Sequence, residues 1–259
     1  MTPLGDRVAL VTGASRGIGK AIAVALAARG ARVAICARDA EAVRKTADEI
    51  SPSGGRVLAF RADVCQPSDV RELLKNVVAR WGQIHILVNN AGVNARVPIE
   101  SGDDQSWLAI LHGNLLGTYY VTRETLKSMP SHGGGRVISV SSVLGRFGVA
   151  GYTAYCTAKH AVIGFTRALA LEVADRGITV NAVCPGWVET AMAEHGMAET
   201  AQVLGITKEA FREQALAAVP LRRILEPAEI GELVAYLASD AASGMTGQAL
   251  NLCGGQVMS

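Results

Sequence analysis

The sequence lacks the features that mark secreted, membrane-bound or nucleic-acid-binding proteins. Its five cysteines are scattered, odd in number and never spaced as CxxC, so they indicate reduced thiols in a cytosolic protein. The net charge is only +2, which provides no basic surface for nucleic acid or lipid. The opening stretch MTPLGDRVALVTG has no room for a signal core or a membrane span. We therefore expect a cytoplasmic protein with no nucleic-acid or membrane partner.

Linkers, internal repeats and low-complexity segments are also absent from the sequence. The chain of 259 residues is 49% hydrophobic and 19% charged, which is enough apolar material for a sizeable core. Folds of this size that combine strands and helices often remain undivided. The sequence therefore predicts a single domain, residues 1–259, and no metal-ligand set.

Short apolar runs alternate with helical patterns along the whole chain. The predicted strands are residues 7–12, 32–36, 56–63, 84–92, 136–142, 178–186 and 248–255. Helical spacing lies between them, for example in residues 17–30, 69–82 and 228–240. Apolar strands joined by helical crossovers predict an α/β fold, with a parallel sheet covered by helices on both faces.

One connection is longer than a turn requires. Residues 191–206, AMAEHGMAETAQVLGI, are rich in Ala, Met and Gly and follow the sixth predicted strand. They show no clear amphipathic pattern, and a long apolar connection is more often a lid or binding loop than a plain turn. We expect a substrate lid around residues 191–219; the alternative is a loop whose Met and Leu side chains fill the core.

A glycine-rich turn follows the first predicted strand. In TGASRGIG, residues 12–19, the glycines are Gly13, Gly17 and Gly19, which allow a tight turn and close approach of a ligand to the backbone. The helix that follows directs free N–H groups at the same place, where a pyrophosphate is the expected ligand. The alternative is a tight turn without a ligand.

The end of the second predicted strand bears on the choice of dinucleotide. An NAD site usually has a carboxylate there, but this strand ends with Ala37 and Arg38, and Asp39 comes two residues late. Arg38, with Arg16 from the glycine turn, could pair with a 2′-phosphate. The alternative is that both arginines are solvated surface residues.

Tyr155 and Lys159 stand four residues apart in GYTAYCTAKHAV and so share one face of a helix. A phenol is a poor acid near neutrality, and a neighbouring cation favours its phenolate and lowers its pKa. The pair therefore predicts a general acid or base for a carbonyl/alcohol couple. Tyr152 is a rival phenol, but the residue four positions later is Cys156.

Two further polar residues are candidates for the same site. Ser142 ends the fifth predicted strand and could hydrogen-bond a substrate oxygen, and Asn114 lies inside a helical pattern where Asn is unfavourable. Taken singly, Ser142 could cap a helix and Asn114 could face water. Together with a dinucleotide site upstream, they indicate a catalytic group.

These motifs, in this order, resemble the short-chain dehydrogenase/reductase family over essentially the whole chain. The matching stretches are residues 12–19 (TGASRGIG), 63–64 (DV), 89–92 (NNAG), 155–159 (YCTAK) and 185–190 (PGWVET), with Asn114 and Ser142. The resemblance implies a Rossmann-type sheet of seven strands in the order 3-2-1-4-5-6-7. It also implies a homotetramer formed through the helix that carries Tyr155 and through its predecessor. The alternative is that the small residues of this helix, Thr153, Ala154, Cys156, Thr157, Ala158, Ala161 and Gly164, pack against the protein's own sheet.

The resemblance assigns a role to each candidate residue. Tyr155 would exchange the proton, Ser142 would polarise the carbonyl, Lys159 would lower the pKa of Tyr155 and bind ribose, and Asn114 would hold a relay water. The cofactor-binding residues implied are Gly13, Ser15, Arg16, Gly17, Ile18, Gly19, Arg38, Asp63, Val64, Asn90, Ala91, Gly92, Tyr155, Lys159, Pro185, Gly186, Val188 and Thr190.

Within the family, the chain looks most like ketoreductases of thioester-linked substrates. Residues 177–190 and 247–255 resemble polyketide ketoreductases of the actinorhodin type, and TGASRGIGKAIA also resembles β-ketoacyl carrier-protein reductases. After NNAG the chain reads VNARVP, without the Pro-Gly-Gly stretch of the polyketide enzymes, which leaves the stereochemical outcome open. We expect an NADPH-dependent ketoreductase, with an acyl carrier protein as a candidate partner. The alternatives are an NAD(H)-dependent alcohol or hydroxyacyl dehydrogenase and a nucleotide-sensing binding protein.

Overall fold

A computed structural model describes residues 4–5, 7–51, 53–131 and 134–258. The expectation that no signal sequence precedes the first strand rests partly on residues 1–3 and 6, which lie outside this set. Among the described residues, no helix is both long and apolar enough to cross a membrane.

Seven strands form one sheet in the order β3-β2-β1-β4-β5-β6-β7, and every neighbouring pair is parallel. The strands are β1 Val8–Thr12, β2 Arg32–Ala37, β3 Val57–Arg61, β4 Ile86–Asn89, β5 Arg136–Val140, β6 Thr179–Pro185 and β7 Ala249–Leu252. The predicted fold class and strand order are confirmed. The order reverses between β1 and β4, and ligands of such sheets bind at the carboxyl ends of the strands near that reversal.

The helices cover both faces of the sheet. They are α1 Gly17–Ala28, α2 Ala40–Ile50, α3 Pro67–Trp81, α4 Asp104–Leu111, α5 Gly117–Leu126, α6 Thr153–Glu172, α7 Ala191–Leu204, α8 Lys208–Ala217 and α9 Pro227–Leu237. Alternate side chains of β1 serve the two faces: Val11 packs in the core with α1 and α9, whereas Leu10 packs in the core with α3, α5 and α6. Burial on both faces explains why the strands are apolar throughout rather than alternating.

The long connection after β6 is helical rather than a loop. Thr190 begins α7, because its hydroxyl accepts a hydrogen bond from Ala193 N at 3.2 Å, and Gly205 ends it in the left-handed conformation with φ +66°. Ala, Met, Glu and Leu are good helix formers, so propensity drives this helix without an amphipathic stripe. The sequence predicted a lid or binding loop for residues 191–206, and the prediction of a loop was wrong because most of these residues form α7.

Candidate active site

The glycine turn after β1 is built by close backbone packing. Gly13 has φ +64°, and a Cβ atom there would lie 2.7 Å from Ala91 Cα. A Cβ atom on Gly19 would lie 2.4 Å from the carbonyl oxygen of Gly13. Asn90 Nδ2 donates to the carbonyl oxygens of Thr12 and Gly13, each at 3.0 Å, and braces the turn. Both positions therefore require glycine.

The amino terminus of α1 is open to a ligand. Arg16 is the N-cap residue, and its side chain makes no capping hydrogen bond, so the first N–H groups of α1 have no side-chain acceptor from that residue. Thr46 Oγ1 donates to Ser15 O at 2.9 Å and fixes the turn against α2. Ile18 is half-buried against the core below. This arrangement fits the pyrophosphate of a dinucleotide.

The end of β2 presents Arg38 to solvent, and Arg16 is exposed as well. Asp39 is engaged elsewhere, because its carboxylate caps α2 by accepting from Glu41 N and Ala42 N at 3.0 Å each. Asp39, the acidic residue two positions after Ala37, therefore caps α2. Two exposed arginines fit a 2′-phosphate better than a ribose hydroxyl pair.

Asp63 and Val64 follow β3 at the same edge of the sheet. The carboxylate of Asp63 accepts from Cys65 N at 2.9 Å, which sets the turn into α3. Val64 is buried, and a Cβ atom on Gly117 would lie 2.7 Å from its Cγ2 atom. Both residues therefore lie where the adenine end of a dinucleotide is expected.

Residues 90–92 connect the dinucleotide site to the candidate catalytic residues. Thr12 Oγ1 accepts from the backbone N–H groups of Asn90 and Ala91, at 3.1 and 3.0 Å. A Cβ atom on Gly92 would lie 2.5 Å from Asn114 Oδ1 and 3.7 Å from Lys159 Nζ. Thr12 was not identified as a site residue from the sequence. Its position at the end of β1 was the signal that could have identified it.

Asn114 lies in a π-helical turn, His112–Leu116, between α4 and α5. Its Nδ2 atom donates to Val93 O and Ile110 O, both at 2.8 Å. Its Oδ1 atom is buried and has no hydrogen-bond partner among the described residues. The side chain that was unfavourable in a regular helix thus fits a widened turn, with a free acceptor directed at Gly92.

Tyr155 and Lys159 are neighbours on α6, with Lys159 Nζ 5.4 Å from the centre of the Tyr155 ring. Lys159 is buried and donates to Val140 O at 3.0 Å. Burial lowers the pKa of Lys159 to about 8. Burial raises the pKa of Tyr155 to about 12, and a hydrogen bond with Ser142 opposes that shift. The charge of Lys159 is not among the causes of this shift, so the expectation that Lys159 lowers the pKa of Tyr155 stays a prediction.

Ser142 begins the short 3₁₀ turn Val143–Gly145, where its Oγ atom accepts from Leu144 N at 3.1 Å. Ser142 therefore caps this turn, and the same hydroxyl also forms a hydrogen bond with Tyr155, while its catalytic role stays a prediction. Ser141, which sequence reasoning missed, donates to Lys159 O at 2.9 Å. In the sequence, the pair of serines at the end of β5 was the signal that could have identified Ser141.

The segment after β6 closes the site from the other side. Pro185 ends β6, and a Cβ atom on Gly186 would lie 2.9 Å from Cys253. Val188 is buried and bridges to Leu225. A Cβ atom on Gly17 would lie 3.3 Å from Thr190 Cγ2, so this segment reaches the glycine turn.

The helices α7 and α8 pack against this segment, and α7 also contacts the start of α6. The Tyr152 hydroxyl is 3.3 Å from Thr200 Oγ1 of α7. Arg212 of α8 forms ion pairs with Glu189 at 2.9 Å and with Glu194 at 3.1 Å. The Trp187 and Phe211 rings meet edge to face at 6.3 Å. These contacts hold the helical pair against the end of β6.

Comparisons with known proteins agree with this geometry. The family model described as short chain dehydrogenase matches residues 7–200. The chain is 40% identical over 260 residues to the 3-oxoacyl-(acyl-carrier-protein) reductase of Synechocystis sp., covering 100% of both chains. It is 39% identical over 255 residues to the enzyme of the same name from Vibrio cholerae, covering 98% of this chain and 99% of that one.

A solved structure shares the fold closely. The crystal structure of a single-residue variant of actinorhodin polyketide ketoreductase with NADPH superposes with a TM-score of 0.93 at 41% identity, covering 99% of each chain. The family match spans most of the chain and the relatives cover its whole length, so the protein belongs to the short-chain dehydrogenase family.

Proposed function

We propose that this protein is an NADPH-dependent ketoreductase that reduces the ketone of a β-ketoacyl thioester, a polyketide or a bulky ketone to a secondary alcohol. The observation that carries the proposal is the group formed by Tyr155, Ser142, Lys159 and Asn114 beside the glycine turn. The names of the relatives, 3-oxoacyl-(acyl-carrier-protein) reductase and polyketide ketoreductase, support the same reaction.

In this mechanism Tyr155 donates its phenolic proton to the carbonyl oxygen of the substrate. Its raised pKa keeps the proton in place at neutral pH, and its hydrogen bond with Ser142 orients the hydroxyl. The Lys159 ammonium, 5.4 Å from the ring, stabilises the phenolate that remains after transfer. Lys159 then returns a proton to the phenolate of Tyr155, and a water that donates a hydrogen bond to the free Oδ1 atom of Asn114 passes a solvent proton to Lys159.

NADPH supplies the hydride when it is bound. Glycine residues 13, 17 and 19, with Ser15, Arg16 and Ile18, would hold the pyrophosphate, and Arg38 would pair with the 2′-phosphate. Asp63 and Val64 would flank the adenine. Residues 90–92 and 185–190, with Tyr155 and Lys159, would surround the nicotinamide and its ribose.

The proposal extends to organisation and partners. Residues 1–259 would act as one catalytic domain, with residues 191–219 as the substrate lid. An acyl carrier protein would deliver the thioester, as the names of the relatives suggest. The protein would work as a cytoplasmic homotetramer.

A steady-state assay tests the proposed reaction. Oxidation of the cofactor is followed with an acetoacetyl thioester, a fused bicyclic ketone and a small polar ketone, each with NADPH and with NADH. We expect turnover with NADPH to exceed that with NADH, and the thioester and the bicyclic ketone to exceed the small polar ketone. A clear preference for NADH and for alcohol oxidation would instead favour a dehydrogenase.

A further inference from the structure

Residues 93–97, which follow the NNAG motif, have two chemically different sides. Val93, Ala95 and Val97 pack with Ile110 of α4 and Ala154 and Tyr155 of α6 in one apolar cluster. The intervening residues are Asn94 and Arg96. These two polar residues are not part of the cluster, and each lies against a different segment of the chain.

Arg96 lies across the loop that leads into α6. A Cβ atom on Gly151 would lie 2.7 Å from Arg96 Nε and 2.9 Å from Arg96 Cζ, so the guanidinium rests on the bare backbone of Gly151. The backbone N–H of Val97 donates to Gly151 O at 2.8 Å and holds the two segments together. Gly151 has φ +83°, so both space and conformation require glycine there.

No described residue neutralises the charge of Arg96. Its side chain is half-buried, and among the described residues it forms no hydrogen bond or ion pair. A guanidinium presents five N–H donors and no acceptor, so its partners must be oxygen atoms. A half-buried arginine that has no oxygen acceptors in the protein can donate hydrogen bonds to a ligand.

Asn94 extends the same polar side toward α7. Its Nδ2 atom is 3.8 Å from the place of a Cβ atom on Gly196, and its Oδ1 atom is buried without a partner among the described residues. Asn94 and Arg96 therefore lie between α7 and the start of α6, which carries Tyr155. The segment that carries both residues packs through its apolar side in the cluster that includes Tyr155, so they lie near the proposed proton donor.

We propose that Arg96 donates hydrogen bonds to the thioester carbonyl oxygen of the substrate, and that Asn94 accepts from an amide N–H of the thioester arm. This inference rests on the proposed ketoreductase function and narrows its substrate class. A β-ketoacyl thioester on a pantetheine-type arm carries both groups near the reacting ketone. An isolated bulky ketone carries neither, so the pair selects thioester-linked substrates.

The test compares three substrates in wild type and in Arg96→Met, which keeps an apolar stem of similar length. The substrates are acetoacetyl-N-acetylcysteamine, acetoacetyl-CoA and a fused bicyclic ketone with one carbonyl group. We expect kcat/KM to fall about 10- to 100-fold on both thioesters, the range for one hydrogen bond to a charged group. The loss on the bicyclic ketone should be at least about tenfold smaller.

Matched variants separate this contact from a structural role. Arg71→Met removes an exposed arginine of α3, remote from the site, and should change none of the three values. Arg96→Lys keeps the charge without the fork and should recover part of the thioester activity. Thermal unfolding and NADPH binding show whether Arg96→Met is folded. If it is not, Arg96→Lys is the variant that tests the contact.

Three results would overturn the inference in different ways. An equal loss on all three substrates would make Arg96 a structural residue of the Gly151 contact. A loss on acetoacetyl-CoA alone would place the contact at a phosphate rather than at the carbonyl. A wild-type protein that reduces none of the three would reject the proposed function itself.

Discussion

At the scale of single residues, Tyr155 is the proton donor on which the proposed reaction depends. Tyr155→Phe removes the phenolic proton while the ring keeps its packing in the apolar cluster with Val97 and Ala154. We expect turnover to fall by at least about 10²-fold, the low end for general acid catalysis, with NADPH binding near that of wild type. Steady-state kinetics and cofactor titration measure the two effects, and turnover within a few-fold of wild type would reject the assignment.

The control for this variant follows from the structure rather than from the sequence. The sequence offers Tyr152 as a rival phenol, and the Tyr152 hydroxyl, which Tyr152→Phe removes, contacts Thr200 of α7. Its loss should leave kcat within a few-fold of wild type and act on KM. Tyr236→Phe on the exposed side of α9 is the neutral control, because its side chain is 44% exposed.

Lys159 gives the reaction a pH dependence with a defined direction. Burial lowers the pKa of Lys159 to about 8, so the ammonium loses its proton as the pH rises through that value. The phenolate left by Tyr155 is then no longer stabilised by a positive charge, and the rate of ketone reduction should decline above about pH 8. A pH profile of kcat from about pH 6 to about pH 10 measures this, and a rate that stays constant across that range would contradict it.

Arg38 is the residue on which the cofactor preference is expected to rest. Arg38→Asp replaces an exposed donor fork at the end of β2 by a charge that repels phosphate. We expect NADPH affinity to fall by roughly 10- to 100-fold, with little change for NADH. Arg71→Asp on α3 is the matched control, and an unchanged preference would show that Arg38 only faces water.

At the scale of elements, α7 divides into a part near the site and a part remote from it. Met192 lies close to Thr190, which contacts the glycine turn, whereas Leu204 lies at the far end and is 54% exposed. Met197 is fully buried, so the core-filling reading of this segment holds for one of its methionines. Both Met192 and Leu204 lie in the segment 191–219, which the sequence predicts as a lid.

The two ends of α7 give a matched pair of variants. Met192→Ala should lower kcat/KM for bulky ketones several-fold, because it removes a flexible apolar wall from the substrate space. Leu204→Ala removes an apolar side chain of similar size from the same helix and should have no such effect. Equal kinetics for the two variants would reject the lid role of residues 191–219.

At the scale of the whole molecule, the small residues of α6 fall on two sides. Ala154, Cys156 and Ala158 are buried against the protein itself, whereas Thr157 and Gly164 are exposed. Packing within the protein therefore accounts for the buried residues of the set, and pairing with a partner helix through the exposed ones stays a prediction. Leu171, 84% exposed on the same helix, adds an apolar group to the outer side.

The outer side of α6 provides a test of assembly that leaves the fold intact. Nothing among the described residues lies within 4 Å of a Cβ atom added to Gly164, so Gly164→Arg should not disturb the protein alone. Arginine is also a better helix former than glycine. If α6 pairs with a second copy, light scattering should report a tetramer for wild type and a smaller species for this variant. Ala79→Arg on the exposed side of α3 is the control, and a wild-type monomer at micromolar concentration would refute the oligomer.

The sequence by itself determined the sheet and the identity of the candidate site residues. Strands buried on both faces, such as Val8–Thr12, are apolar at almost every position, and Gly13 and Gly19 are required by close backbone contacts. The apolar runs of the strands and the spacing of the glycines are local in the sequence, so both can be recognised without the structure. The strand order and the family resemblance are confirmed, whereas the catalytic and cofactor roles stay predictions.

Only the tertiary structure decided how these residues behave. Burial raises the pKa of Tyr155, and the opposing hydrogen bond comes from Ser142, which lies on another element. Asp39 turned out to cap α2, Asn114 to occupy a π-helical turn, and Arg96 to rest on Gly151, which lies far along the chain. Burial, partner choice and free hydrogen-bonding capacity depend on which segments meet in space, and a periodic pattern carries no information about that.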